Sequence, residues 1–305
     1  MKSIGVIGLG IMGSAYVRNL LGKGFTVFGF DLDSTRTEAL VAEGIQACKS
    51  AASVAERASE IITSLPNPQA LHDVAQELSK MGPRLREIVI ADTCTLTLED
   101  KFSAMAVIEK AGGCLLDCPV SGTGAQAARA DLTVFASGND LGIERMKPAF
   151  AAIGRITHEL GAFGNGSKMK YVANLLVAIH NVSAAEAFAF AQKAGIAPES
   201  VYRVLHGSAG SSRIFEIRGP MMVAGDYETG LSATHRLMHK DISIISSYIQ
   251  GLGAQTPLFD IAATIHDEAI AQGFEMQDTA SVCAVMERRN GLKRGGKFSS
   301  YPVDT

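Results

Sequence analysis

Six residues near the start, Gly8-Leu9-Gly10-Ile11-Met12-Gly13, constrain the fold of this chain more than any other stretch. They are entered from a short apolar run, Ser3 to Ile7, of the kind expected of a strand buried on both faces. They lead into a segment over 12–23 that reads as a helix and stops at Gly24. A second apolar strand, Thr26 to Phe30, follows, and Asp31 closes it. Strand, GxGxxG turn, helix, strand and terminal acid together are the signature of a dinucleotide-binding unit. The glycines alone would equally suit a tight turn with nothing bound.

The residue types fit the chemistry. Gly8 permits the turn, Gly10 lets the backbone approach a pyrophosphate, and Gly13 lets helix and strand pack closely. Ile11 and Met12 complete the loop, and the helix start offers N–H groups to the phosphates. The Asp31 carboxylate suits a ribose hydroxyl and would repel a 2′-phosphate. Leu32 and Asp33 follow it, with no arginine immediately behind. NAD is therefore expected over NADP, a preference that Arg36, one helical turn on, would soften.

At 305 residues the chain is long enough for about two domains. Alternation of strand and helix continues with strands over 61–64, 88–91, 114–116 and 133–136. Helices are expected over 34–43 (capped by Ser34), 69–79, 97–111 and 141–152. That rhythm predicts α/β architecture with a parallel, doubly wound sheet over 1–163. After residue 160 no strand is expected. A long helix over 167–193 ends at Gly195, Pro198 opens the next helix, and helical segments cover much of 213–224, 233–252, 257–272 and 278–289. An all-α domain over 164–292 is expected, then a tail over 293–305 that is mobile or draped on a partner.

A net charge of −3 argues against nucleic acid as a partner. No secretory leader is expected, because the apolar start is broken by glycine and runs straight into a domain. The most apolar helix carries Asn174, His180, Asn181 and Glu186, which reads as a buried helix and not a membrane span. The five cysteines have no zinc-like spacing and are expected as reduced thiols in a cytoplasmic protein, with no bound metal. His180, His206, His235 and His239 are expected to pack or face solvent.

Two further segments carry polar groups where they are costly. Lys170 and Asn174 are four apart and share a helix face, with Asn181 on nearly the same stripe. On an otherwise apolar helix this arrangement suits a polar ligand, and burial would bring the lysine toward a pKa useful for proton transfer. A lysine that snorkels to solvent is the competing reading. Lys168 points elsewhere and reads as a surface charge. Asp117-Cys118-Pro119-Val120-Ser121-Gly122-Thr123-Gly124 follows a strand end, where open α/β sheets place ligands. The Ser121 hydroxyl and the Gly122 and Thr123 N–H groups suit a carboxylate, though a plain glycine-rich turn explains the same residues.

GLGIMG at 8–13, DCPVSGTGAQAARADL at 117–132, GNGSKMKYVAN at 164–174 and Lys240-Asp241 in HKDISII occur in an order that resembles the β-hydroxyacid dehydrogenases, the family of 3-hydroxyisobutyrate dehydrogenase. The resemblance spans about 3–290. It implies a Rossmann domain and an all-α domain joined by a long helix. It implies hydride transfer between NAD and the alcohol carbon of a short 3-hydroxy acid, in a homodimer or homotetramer. It casts Lys170 as general acid/base with Asn174 beside it, and Ser121, Gly122 and Thr123 as carboxylate binders. Lys240 would close over the nicotinamide, while Leu65-Pro66-Asn67 and Thr95 would line the cofactor. Thr123, Ala130, Cys94 and Leu98 depart from the common pattern and leave the particular acid open. A non-catalytic NAD-binding scaffold and an imine reductase are the alternatives. Lys170 argues against both, and Ala173, together with the chain's length, argues against a decarboxylating 6-phosphogluconate dehydrogenase.

Overall fold

The computed structural model describes residues 2–230 and 232–294. The chain divides into two compact units, Met1–Tyr171 and Val172–Thr305. In the first, β1 (Ser3–Ile7), β2 (Thr26–Phe30), β3 (Gln46–Ala47), β4 (Glu60–Thr63), β5 (Val89–Asp92) and β6 (Cys114–Asp117) form one sheet. Its order is β3-β2-β1-β4-β5-β6, and every neighbouring pair is parallel. The connections carry α1 (Ile11–Gly22), α2 (Ser34–Val41), α3 (Ala51–Ala55), α4 (Pro68–Ser79) and α5 (Leu98–Lys110). Consecutive strand residues enter opposite cores. Ile62, Val89, Ala91 and Leu116 pack on one face, while Ile61, Ile90 and Leu115 pack on the other. Both faces are covered, so these strands read as unbroken apolar runs. The strand order reverses between β1 and β4, which puts a crevice at the carboxyl end of β1, directly at the glycine turn.

Two local expectations are corrected. Asp33, not Ser34, caps α2, its carboxylate accepting the Thr35 N–H at 3.1 Å. The strand expected over 133–136 does not extend the main sheet. Instead β7 (Val120–Ser121), β8 (Leu132–Ala136) and β9 (Gly154–Glu159) form a separate sheet in the order β7-β8-β9, joined by α6 (Gly124–Ala127) and α7 (Asp140–Ile153). Pro119 has no N–H to continue the ladder beyond β6. The chain peels away there, and β7 pairs antiparallel with β8. A bridge between Asp117 and Ser137 ties the two sheets together.

The second unit is helical among its described residues apart from isolated bridge residues, among them the pair Thr234 and Asp278. α8 (Asn165–Lys193) enters it from the first unit, and α9 (Pro198–Leu205), α10 (Arg213–Ala224), α11 (His235–Leu252), α12 (Pro257–Ala271) and α13 (Val282–Arg289) follow. Its core gathers Phe188, Phe215, Ile265 and Val282, with Phe188 stacked on Phe215 at 5.5 Å. α8 is long and apolar enough to cross a membrane. It nevertheless places Ala185, Phe188 and Ala189 in this core, and its buried Asn181 donates to the Thr279 carbonyl at 2.7 Å. Of the expected tail, 295–305 lies outside the described residues. Arg294 is held by Glu287, the Met222 carbonyl and the Tyr227 hydroxyl.

Candidate active site

The glycine turn is built as its sequence requires. Gly8 has φ +89°, and a Cβ there would stand 2.2 Å from the Ser64 carbonyl oxygen. A Cβ on Gly13 would stand 1.9 Å from the Gly8 oxygen, so only glycine lets α1 seat on β1. Met12 turns partly into the core, while Ile11 is 81% exposed. Gly10 caps α1 with no side chain, and no acidic residue occupies the first helical turn. A cavity of about 510 Å³ opens over Gly10, Ile11 and Ser14, with Arg18 and Arg36 at its side. An uncapped helix start and a backbone without a Cβ fit the phosphates of a dinucleotide, while Arg18 is paired with Glu43 at 2.7 Å.

Asp31 holds this loop. One carboxylate oxygen accepts the Leu9 N–H at 2.7 Å and the other accepts the Asp33 N–H at 2.8 Å. Each oxygen keeps a lone pair for a ribose hydroxyl. Arg36 stands 3.6 Å from Asp31 and 3.2 Å from Asp33, nearer the acid than its place in the sequence suggested. Leu65 and Pro66 follow β4, and the Leu65 side chain abuts Gly8. The Leu65 N–H also donates to the Cys94 sulfur at 3.0 Å, tying the loops after β4 and β5 together just before half-buried Thr95. Asn67 caps α4.

The segment after β6 lies beside the same turn, since a Cβ on Gly124 would meet the Ile11 side chain at 2.9 Å. Ser121 is half-buried in β7 and Gly122 has φ +142°. Thr123 differs from expectation. Its N–H donates to Gln126 Oε1 at 3.1 Å and its hydroxyl oxygen accepts the Gln126 N–H at 3.3 Å, a capping box that starts α6. That amide is engaged within the turn, and the hydroxyl hydrogen is the donor Thr123 retains.

Lys170 is buried, 9% exposed, near the start of α8 in the first unit. Beneath that helix start lies a polar cluster the sequence reading missed. Lys101, on α5, is fully buried and stands 2.6 Å from Asp117 and 3.0 Å from Asp92. Burial works against its charge, but Asp117 and then Asp92 outweigh that, and the ammonium pKa is raised. Asp117 also accepts the Ser167 N–H and the Ser167 hydroxyl, each at 2.7 Å. The signal was present: Lys101, Ala104 and Ile108 share the buried stripe of α5, where a lysine is out of place.

In the second unit, Asn174 donates from Nδ2 to Asp241 at 2.7 Å, and Lys240 stands 3.4 Å from the other Asp241 oxygen. Asp241 therefore links Asn174 and Lys240, while Lys170, expected in the same helical domain over 164–292, falls in the first unit.

Comparison with known proteins agrees with this anatomy. Residues 3–164 match the model of the NAD binding domain of 6-phosphogluconate dehydrogenase. Residues 164–286 match the NAD-binding family of NADP-dependent 3-hydroxyisobutyrate dehydrogenase. The chain is 30% identical to 2-(hydroxymethyl)glutarate dehydrogenase of Eubacterium barkeri, over 96% of this chain and 97% of that one. It is 28% identical to NAD-dependent L-serine dehydrogenase of Pseudomonas aeruginosa, over 95% of this chain and all of that one. The crystal structure of 3-hydroxyisobutyrate dehydrogenase from Salmonella typhimurium superposes with a TM-score of 0.83 at 28% identity, covering 93% of this chain and all of that one. The chain belongs to the β-hydroxyacid dehydrogenase family. It is a hydroxyacid dehydrogenase that uses a nicotinamide cofactor.

Proposed function

We propose that the chain oxidises, reversibly, the primary alcohol of a short 3-hydroxy acid, with NAD as the preferred cofactor and Lys170 as the general acid/base. The observation that carries the reading is a buried lysine on α8, the helix whose first turn is anchored through Ser167 to the strand end that leads into the Ser121 segment. The relatives named above act on 2-(hydroxymethyl)glutarate, L-serine and 3-hydroxyisobutyrate. All three compounds contain HOCH₂–CH–COO⁻ and differ in the substituent on the central carbon. The constant part suits this chain: the carboxylate takes the Ser121 hydroxyl and the Gly122 N–H, and the alcohol takes Lys170. The Thr123 hydroxyl is the donor available to the variable part.

When bound, the nicotinamide supplies the hydride acceptor. Lys170, as the neutral amine, takes the alcohol proton as the C–H pair leaves, so the products are an aldehyde, a reduced cofactor and a lysine ammonium. In the reverse direction the ammonium returns that proton. By the family resemblance Asn174 is assigned to orienting the alcohol and Lys240 to the nicotinamide, and Asp241 contacts both side chains. Asp31 disfavours a 2′-phosphate by charge.

The test follows reduced cofactor at 340 nm (roughly the nicotinamide absorbance maximum) with 3-hydroxyisobutyrate, L-serine and 2-(hydroxymethyl)glutarate, each with NAD and NADP. Turnover of at least one acid, faster with NAD, is expected. Lys170→Ala should abolish turnover, a loss of about 100-fold or more, while NAD still binds. Full activity in that variant would sink the mechanism.

A further inference from the structure

The geometry points to Asp117, with Lys101 behind it, as the positioning device that sets where the Lys170 amine stands. The inference rests on the reading of Lys170 as acid/base. A helix start leaves backbone N–H groups that need acceptors. α8 takes its acceptors from far back in the chain. Gly166 N–H donates to the Ser137 hydroxyl at 2.9 Å, and Ser167 N–H donates to Asp117 at 2.7 Å. The Ser167 hydroxyl grips the other Asp117 oxygen at 2.7 Å. The first turn of the helix is thus clamped to the end of β6, and Lys170 follows one turn later on the same face.

The clamp continues into the sheet. Lys101 joins Asp117 to Asp92, and Asp92 accepts the Thr63 hydroxyl at 2.7 Å. The ends of β4, β5 and β6 and the start of α8 are therefore one connected set of contacts. There is no slack at the seat, since a Cβ on Gly166 would lie 2.4 Å from the Phe135 backbone oxygen and 2.6 Å from the Asp117 backbone oxygen. The carboxylate also sits at the positive end of the helix dipole, where negative charge is favoured.

Stability alone is a poor account of this cluster, because apolar residues of similar volume commonly serve as well as a buried ion pair. Geometry is the better account. A displacement of about 1 Å at a reacting group can lower a rate about 100-fold. Asp117 and Lys101 touch no reacting atom in this scheme and act through the helix.

Ser167→Ala, Ser167→Thr, Asp117→Asn and Lys170→Ala would be assayed in the full chain with the acids named above and saturating NAD. NAD affinity and melting temperature would be measured on the same samples. We expect Ser167→Ala to lower kcat about tenfold and Asp117→Asn about 100-fold. KM and NAD affinity should stay within about twofold, and Ser167→Thr should recover most of the rate. The positioning role is overturned if folded Ser167→Ala and Asp117→Asn keep kcat within about twofold of the parent. It is equally overturned if kcat and NAD affinity fall and KM rises in step with a falling melting temperature. Should Asp117→Asn fail to fold, Ser167→Ala and its threonine rescue still decide. An inactive Lys170→Ala beside unimpaired clamp variants removes only the positioning role, whereas a fully active Lys170→Ala removes the reading beneath it.

Discussion

Ala130 is the one described non-glycine residue with positive φ, at 54°. An L-residue held in the left-handed region is strained by about 1–2 kcal/mol, and glycine relieves this at some cost in unfolded-chain entropy. Ala130→Gly is expected to stabilise the protein by about 0.5–1 kcal/mol, read as a higher urea midpoint at unchanged slope. A lower midpoint contradicts this. Arg36 is the second residue to test. Its guanidinium stands 3.6 Å from Asp31, and if it offsets that carboxylate's charge toward a 2′-phosphate, Arg36→Ala should lower kcat/KM for NADP about tenfold and leave NAD within about threefold. Equal losses with both cofactors would deny it a selecting role. Asp31 could be read from the sequence because its partners are local: a strand, a turn and a fixed spacing. Lys101 could not be placed so, because its meaning comes from Asp92 and Asp117 on two other strand ends. Thr123 was half legible. The residue stood out, but its capping of α6 depends on Gln126 being in reach.

Among elements, the long strands were readable as unbroken apolar runs and the helices by their 3.6-residue period. β3 and β7 were not, with two residues apiece, and β9 presents mostly exposed residues with no apolar alternation. The assignment of β8 to the main sheet failed for a different reason: a βαβ rhythm says which segments are strands but not which sheet they join. The seat of α8 gives the sharpest prediction at this scale. Gly166→Ala would push a methyl into two backbone carbonyls, which cannot rotate away. We expect destabilisation of about 3 kcal/mol or loss of soluble protein. A variant that melts within about 2 °C of the parent would show the seat to be looser than described.

At the scale of the molecule, acid sensitivity should come from the helical unit. His235 and His266 are buried with ring nitrogens 3.3 Å apart. Burial, opposed in part by Asp278, lowers the pKa of His235 to about 4. Burial, with His235 and Arg218 nearby, lowers that of His266 to about 3. Both pKa values fall on folding. Between the ordinary histidine value and these, the unfolded chain binds protons that the folded chain refuses, so stability rises with pH across that window. Stability is lost as pH falls below about 6.5, on the order of 4 kcal/mol for the pair by pH 5. Urea midpoints at pH 7, 6 and 5 test this, and His266→Gln should flatten the slope. A slope unchanged by that variant would assign the acid sensitivity elsewhere.

α8 runs unbroken from Asn165 to Lys193, although the boundary between the compact units falls at Tyr171 and Val172. Most multidomain chains offer a polar linker as a natural joint for grafting and exchange. Here the joint is the interior of a helix, and cutting it leaves the first unit with a single helical turn or two, too short to hold its shape in water. A chimaera that borrows a relative's helical half must therefore keep the 3.6-residue phase of this rod. An insertion of one residue near 171 would rotate the later turns of the helix by about 100° about its axis relative to the first two. In such a chain, grafting at the joint is a problem of helical phase as much as of sequence choice.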